Sequence, residues 1–177
     1  MPSEIPPRAA IVGIAAGGAV AYGVVHDQVT IRICLEYFTV FHPRLVDTED
    51  PTLLALFWGV AATWWFGAGL GVVLAAAGRA GSRPRVAPRA LVAPVGGLLL
   101  VMAGTAAVAG IAGAALASAG AIRVFPPDLA AAIPKERHVA FLSCLWIHNA
   151  SYLVGFLGGV RLAWRTWRLR GVPAGGG

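Results

Sequence analysis

The chain has 177 residues, of which 58% are hydrophobic and 12% are charged, against about 25% charged residues in ordinary soluble domains. Its mean hydropathy is +0.73. This composition excludes a soluble enzyme, a disordered chain and a nucleic-acid-binding domain, and the length suits one domain. The net charge of +6 therefore reflects membrane topology, not contact with nucleic acid.

Four apolar stretches are long enough to cross a bilayer core of ~30 Å, which takes about 20 helical residues. They cover about residues 9–25, 53–77, 90–119 and 139–160, and none contains Lys, Arg, Asp or Glu. Because a backbone in hydrocarbon must satisfy its own hydrogen bonds, these spans are predicted to be helices. The sequence predicts an all-α membrane protein, with residues 1–177 forming one four-transmembrane-helix bundle.

The distribution of charge predicts the orientation of the spans. Arginines without acidic neighbours occupy the loop 78–89 and the basic tail 161–177, whereas the loops 26–52 and 120–138 hold seven of the eight acids. Since Lys and Arg concentrate on the cytoplasmic side, both termini are predicted to be cytoplasmic and the acidic loops outer. The Ala-, Gly- and Arg-rich composition points to a bacterial inner membrane, with the lipid bilayer as the surrounding partner.

The first span has an alternative interpretation as a cleaved signal peptide. Ala19-Val20-Ala21 is an acceptable small-residue cleavage site after an apolar run. A signal peptide needs positive charge before its apolar run, and here little is present, because Arg8 is opposed by Glu4. A retained helix is therefore the favoured prediction, and the acidic loops stay outside in either case.

Small residues recur at four-residue intervals along the spans, and such faces let membrane helices approach closely. In the second span the series is Gly59, Thr63, Gly67, Gly71 and Ala75. This pattern predicts the interior of a single bundle. The alternative is a surface for self-association or for other membrane subunits.

The segment from His26 to Pro43 alternates apolar and polar residues. A period of two with β-branched and aromatic residues predicts an extended stretch on the outer face, which makes the outer loop partly extended. A helical alternative would pair Arg32 with Glu36 at i,i+4 spacing.

Three short motifs in this region carry a resemblance: HDQ at residues 26–28, EYF at 36–38 and the pair His42-Pro43. With these motifs the chain resembles uncharacterised bacterial integral membrane proteins of similar size. The resemblance covers the whole chain loosely. It implies the four-helix architecture and no particular chemistry.

Polar residues in the outer half predict a metal site. His148 follows His138 by ten residues, about 15 Å deeper by helical rise, and an ionisable side chain near mid-bilayer usually faces the bundle interior or a cavity. Imidazoles together with carboxylates suit zinc, iron or copper. The candidate metal ligands are His26, Asp27, Glu36, His138 and His148.

Further candidates surround these ligands, with Cys144, His148 and Tyr152 at four-residue spacing as a wall of the site. A b-type haem with His148 as one ligand is an alternative cofactor, although the expected difference in depth disfavours His26 as its second ligand. Covalent haem attachment is excluded because no Cys-x-x-Cys-His motif is present. The remaining polar candidates are Arg32, His42, Cys144, Asn149 and Tyr152.

The sequence thus predicts an outward-facing site for a metal or small ligand at the mouth of a four-helix bundle, and it leaves open whether the protein is an enzyme. One alternative is an accessory or structural subunit of a larger membrane complex, packing through the small-residue faces. Another is a small transporter or channel. Internal repeats and interrupted helices, which are frequent in transporters, are not visible in the sequence.

Overall fold

The computed structural model describes residues 5–170 and is an all-α four-helix membrane bundle. Four helical segments are long and apolar enough to cross a membrane. The helices are α1 (Pro7–Ile33), α2 (Pro51–Ala61), α3 (Trp64–Arg79), α4 (Val92–Ser118), α5 (Pro127–Ala132) and α6 (His138–Leu169). A π-helical turn covers Tyr37–Phe41, and 3-10 turns cover Pro88–Leu91 and Lys135–Arg137.

The bundle is a ring in which α1 and α6 occupy opposite corners. α1 packs mainly against α2 and α3, whereas α6 packs mainly against α4 and then α3. We call the end with residues 34–50 and 119–137 the loop end. The end with residues 80–91 and the last turn of α6 is the arginine end. The predicted basic tail begins inside α6, and its residues 171–177 lie outside the described part.

The predicted extended segment is wrong, because α1 continues to Ile33. Its last turns bury Asp27, Thr30 and Ile31, which are spaced as one helical face. On the other face Arg32 donates to Oε1 of Gln28 at 2.7 Å. The structure describes no strand between residues 5 and 170, so the helical pattern of burial overrides the alternation of polarity.

The second predicted span is interrupted where α2 ends and α3 begins. Ala62 and Thr63 separate the two helices, and the Thr63 hydroxyl donates to the carbonyl of Gly59. A side-chain hydroxyl that binds the carbonyl four residues earlier often bends a helix. The interruption lies where α2 and α3 pass α1 closely.

Most of the small-residue faces point into the bundle. A Cβ on Gly59 would lie 2.6 Å from the backbone of Val24, and a Cβ on Gly67 would lie 2.5 Å from Ala19 Cβ. Glycine at these positions therefore permits α1 to touch α2 and α3. Gly13 meets no atom within 4 Å and faces outward, and association with other copies or subunits stays a prediction.

A pair of glycine substitutions tests this packing. We expect Gly59→Ala to lower the free energy of unfolding by about 2–3 kcal/mol, because the new methyl group meets backbone atoms of α1 and forces the helices apart. Gly69→Ala is the matched control, since Gly69 is exposed with no atom within 4 Å of its Cβ position, and it should be neutral or stabilising by up to about 1 kcal/mol. Thermal unfolding in detergent measures both; equal effects would contradict the close contact.

Candidate metal centre

Three ionisable side chains meet inside the loop-end half of the bundle. His26 and Asp27 come from α1 and His148 comes from α6, so the cluster joins the two opposite corners of the ring. One potential ligand atom from each residue lies within 4.8 Å of those from the other two. Asp27 is 5% exposed and His148 is 7% exposed, whereas His26 is half-buried.

The orientation of His148 is fixed by its own helix and by an aromatic ring. Its Nδ1 lies 2.8 Å from the backbone oxygen of Cys144, and because a carbonyl only accepts, Nδ1 carries the proton. The other nitrogen, Nε2, then faces Asp27 Oδ1 at 3.4 Å. Tyr37 from the π-helical turn stacks on the imidazole with ring centres 4.3 Å apart.

His26 contributes a nitrogen that the rest of the protein leaves unsatisfied. Its Nε2 is buried and has no hydrogen-bond partner among residues 5–170. The ring meets the edge of His148 with centres 4.7 Å apart. Burying a polar atom without a partner costs free energy, so an unpaired imidazole nitrogen beside a buried carboxylate suits a bound cation.

A cavity extends from the cluster along the inside of the bundle. His26, Asp27 and His148 line one end, and the opposite wall continues to Leu162 near the arginine end. Its volume is about 90 Å³, which admits several water molecules, since one needs roughly 10–15 Å³. Pockets for drug-sized ligands have about 300–1,000 Å³. This cavity is smaller than such pockets, and the b-type haem that was the alternative cofactor stays a prediction.

Two of the five predicted ligands lie elsewhere. Glu36 pairs with Arg137, whose Nε donates at 3.1 Å, and not with Arg32, the partner that the helical alternative offered. Partial burial acts to raise the pKa of Glu36, but hydrogen bonds from its own backbone, Cys34 and Arg137, together with the charge of Arg137, hold that pKa below its usual range. His138 is held by the carbonyls of Ala130 and Ile133 at its Nε2. Of the five predicted ligands, the structure brings together three, His26, Asp27 and His148.

The other polar candidates lie in three kinds of place. Tyr152 and His42 line the same cavity as the metal cluster, whereas Arg32 and Asn149 lie on the surface. Cys144 is buried, and its thiol donates to the Thr30 carbonyl at 3.3 Å. Its contribution to the site is the backbone oxygen that orients His148.

His42 comes from the loop after the π-helical turn and faces the cavity beside Trp58. Its Nδ1 donates to the Tyr37 carbonyl at 2.7 Å, so its Nε2 is left as an acceptor in the neutral ring. Burial holds the pKa of His42 below its usual value of 6.5, which outweighs the opposite effect of the bond to Tyr37. His42 is therefore neutral at pH 7.

Sequence reasoning placed His26 and His148 at different depths, and this is wrong. α1 extends eight residues beyond its predicted end at Val25, which carries His26 and Asp27 into the bundle. Tyr37 was assigned to an extended segment and was not expected to cover the site. The helical spacing of Asp27, Thr30 and Ile31 was the signal that would have corrected both points.

Comparison with known proteins adds no assignment to this geometry. Family models, curated proteins and solved structures give no match to the chain. The function is therefore argued from the three side chains and the cavity.

The lowered pKa of His42 predicts a pH dependence of stability. Below about pH 6.5 the unfolded chain binds a proton at this position that the native protein resists, so stability falls as the pH decreases. We expect the melting temperature of His42→Gln to fall less between pH 7.5 and pH 5 than that of the unaltered protein, when both are measured with a chelator present. Asn149→Ala serves as the control and should follow the unaltered protein. An equal loss in His42→Gln would contradict a buried, neutral His42.

Proposed function

We propose that this membrane protein binds a divalent first-row transition metal through His26, Asp27 and His148. The observation that carries the proposal is the cluster itself: one ligand atom each of His26, Asp27 and His148 lies within 4.8 Å of the other two, and Nε2 of His26 is buried with no hydrogen-bond partner among the described residues. Two imidazole nitrogens and one carboxylate oxygen suit zinc, and also copper or iron. Three protein ligands with a fourth position left open are typical of catalytic zinc sites.

A proton alone satisfies this cluster less well than a metal ion. A proton on Nε2 of His148 would bind the Asp27 carboxylate, yet Nε2 of His26 would still have no partner. A dication accepts electron pairs from all three residues at once. It also neutralises the negative charge of Asp27, whose burial in an apolar bundle would otherwise be costly.

The surroundings of the cluster support the same assignment. Metal-binding histidines usually donate their other N–H to a carbonyl or carboxylate, which fixes the ring and its protonation. The bond from His148 Nδ1 to the Cys144 oxygen does this and leaves Nε2 as the ligand. Stacking of Tyr37 on His148 restrains the ring from the loop end.

The open position would face the cavity, and the cavity limits what reaches it. A volume of about 90 Å³ admits water or a small molecule with an oxygen donor. A bound dication supplies Lewis-acid chemistry and makes a coordinated water more acidic. We therefore favour a small-molecule ligand over a macromolecule at this centre.

The orientation of the chain is part of the proposal. The positive-inside rule places the arginine end and both termini in the cytoplasm and the loop end outside a bacterial inner membrane. The metal would then enter from the outer side. The small-residue faces of α2, α3 and α6 are largely occupied within the bundle, which favours this function over an accessory subunit.

Metal content is the direct test. We expect about one zinc ion per chain after loading and desalting, and we expect Cobalt(II) to produce the visible absorption of a tetrahedral site. His26→Ala and His148→Ala should weaken binding roughly 100-fold or more, since each removes a direct ligand. His138→Ala is the matched control and should bind as the unaltered protein does. A protein that stays metal-free, or an equal loss in the control, would contradict the proposal.

Asp27→Asn separates a metal ligand from a structural ion pair. If Asp27 serves the metal, the substitution removes a buried charge, so the chelated protein should be unchanged or more stable. The rise in melting temperature on adding zinc should disappear. A purely structural His148–Asp27 pair would instead make Asp27→Asn destabilising by about 3–5 kcal/mol without metal. Thermal unfolding with and without zinc measures both quantities.

A further inference from the structure

The arginine end carries positive charge that the protein does not neutralise. Within residues 5–170 the seven acidic side chains all lie at the loop end or, for Asp27, in the metal centre. The arginines at the opposite end therefore have no carboxylate partner in the described part of the chain. The arginines of residues 79–91 and of α6 are Arg79, Arg83, Arg85, Arg89, Arg161, Arg165, Arg168 and Arg170.

Four of these arginines have structural contacts of their own. Arg170 is buried and donates to four carbonyls of residues 77–84, at 2.7–2.9 Å. Arg79 donates to the Val86 carbonyl at 2.8 Å. Arg83 and Arg168 lie over tryptophan rings of α6. The contacts of Arg83 and Arg170 hold the connection between α3 and α4 against the end of α6, whereas Arg168 and Trp164 both lie on α6.

Four arginines of this end are exposed and make no side-chain hydrogen bond or ion pair within the described residues: Arg85, Arg89, Arg161 and Arg165. Two of them, Arg161 and Arg165, lie on α6. They are four residues apart on α6, so their side chains lie on one face, about 5–6 Å apart at Cβ. Two guanidinium groups at this spacing can bind one phosphate group through several charge-assisted hydrogen bonds. The pair is available for a ligand.

An apolar groove runs from this pair into the membrane-spanning part of the bundle. Its volume is about 450 Å³, and Arg161 and Arg165 stand at one end of it. We call it the chain groove, which is lined by Gly97, Leu98, Val101, Leu157, Arg161 and Arg165. The groove ends at Val154, which lies about 16 Å from Arg165 by helical rise. This distance is about half of a ~30 Å hydrocarbon core.

A second groove meets the first at Arg165 and lies nearer the arginine end. It has a volume of about 480 Å³ and includes Arg85, Pro94 and Arg165. The two grooves share Pro94, Leu162 and Arg165. A recess that carries Arg85 and Arg165 among apolar side chains thus continues directly into an apolar groove one leaflet deep, which matches a phosphate headgroup joined to an acyl chain.

We infer that Arg161 and Arg165 bind an anionic phospholipid, with its phosphate on the two guanidinium groups and one acyl chain in the chain groove. The charge of the recess selects anionic over zwitterionic headgroups. The groove distinguishes the lipid from a free phosphate ion, since an ion would leave the apolar wall empty. This site is separate from the metal centre and does not depend on it.

Competition between two lipids tests the headgroup. Native mass spectrometry of detergent-purified protein is run with equal amounts of phosphatidylglycerol and phosphatidylcholine carrying the same chains. We expect phosphatidylglycerol to be retained preferentially. The preference should fall roughly 10- to 30-fold in the double variant Arg161→Gln/Arg165→Gln, because each basic residue contributes to anionic-lipid binding. The double variant Arg8→Gln/Arg168→Gln, which removes the same charge, should keep the preference.

A second pair of variants tests the groove. The Cβ position of Gly97 is open, with no atom within 4 Å, so the Gly97→Leu variant should fold. Because its leucine would fill the chain groove, the variant should retain phosphatidylglycerol at least several-fold less. Gly104→Leu, at an equally open and exposed position outside the groove, should retain as much as the unaltered protein does. Three results would each overturn the inference. The two glycine variants could retain phosphatidylglycerol equally, the two arginine double variants could lose the preference for it equally, or the unaltered protein could show no preference between the two lipids.

Discussion

The buried carboxylate of Asp27 is the constraint on which the rest of the structure depends. A charge in an apolar interior is costly unless partners compensate it, and imidazoles from two helices at opposite corners of the ring lie beside this carboxylate. Because His26 and Asp27 are neighbours on α1 and His148 lies on α6, the cluster fixes how far these helices extend past each other. The metal proposed here would complete that compensation and join the corners directly.

Packing elsewhere holds α1 in the position that the cluster requires. Gly59 and Gly67 let α2 and α3 touch the backbone of α1, and without these contacts His26 and Asp27 would lie farther from the bundle axis. At the loop end, the π-helical turn places Tyr37 over His148. The salt bridge between Glu36 and Arg137 joins the start of that turn to the segment before α6. Glu36, which was predicted to bind metal, therefore serves to close the site.

Hydropathy was sufficient to predict the membrane bundle. The end of α1 could not be derived from hydropathy, because Asp27 and Arg32 resemble the boundary of a span. Asp27 is buried only because α6 supplies His148, which is a contact between distant parts of the chain. The π-helical turn likewise depends on packing against α6. Local alternation at residues 26–43 favoured a strand, and the tertiary contacts of Thr30 and Ile31 determined a helix.

The identity of the atoms around the metal tests the central claim most directly. X-ray absorption spectroscopy of the zinc-loaded protein should show two imidazole nitrogens at about 2.0–2.1 Å and oxygen donors at about 2.0–2.2 Å, in four-coordinate geometry. Such a spectrum would place the ion between His26, Asp27 and His148. Sulfur at about 2.3 Å, or a shell of oxygen atoms without imidazole, would locate the metal elsewhere and contradict the account.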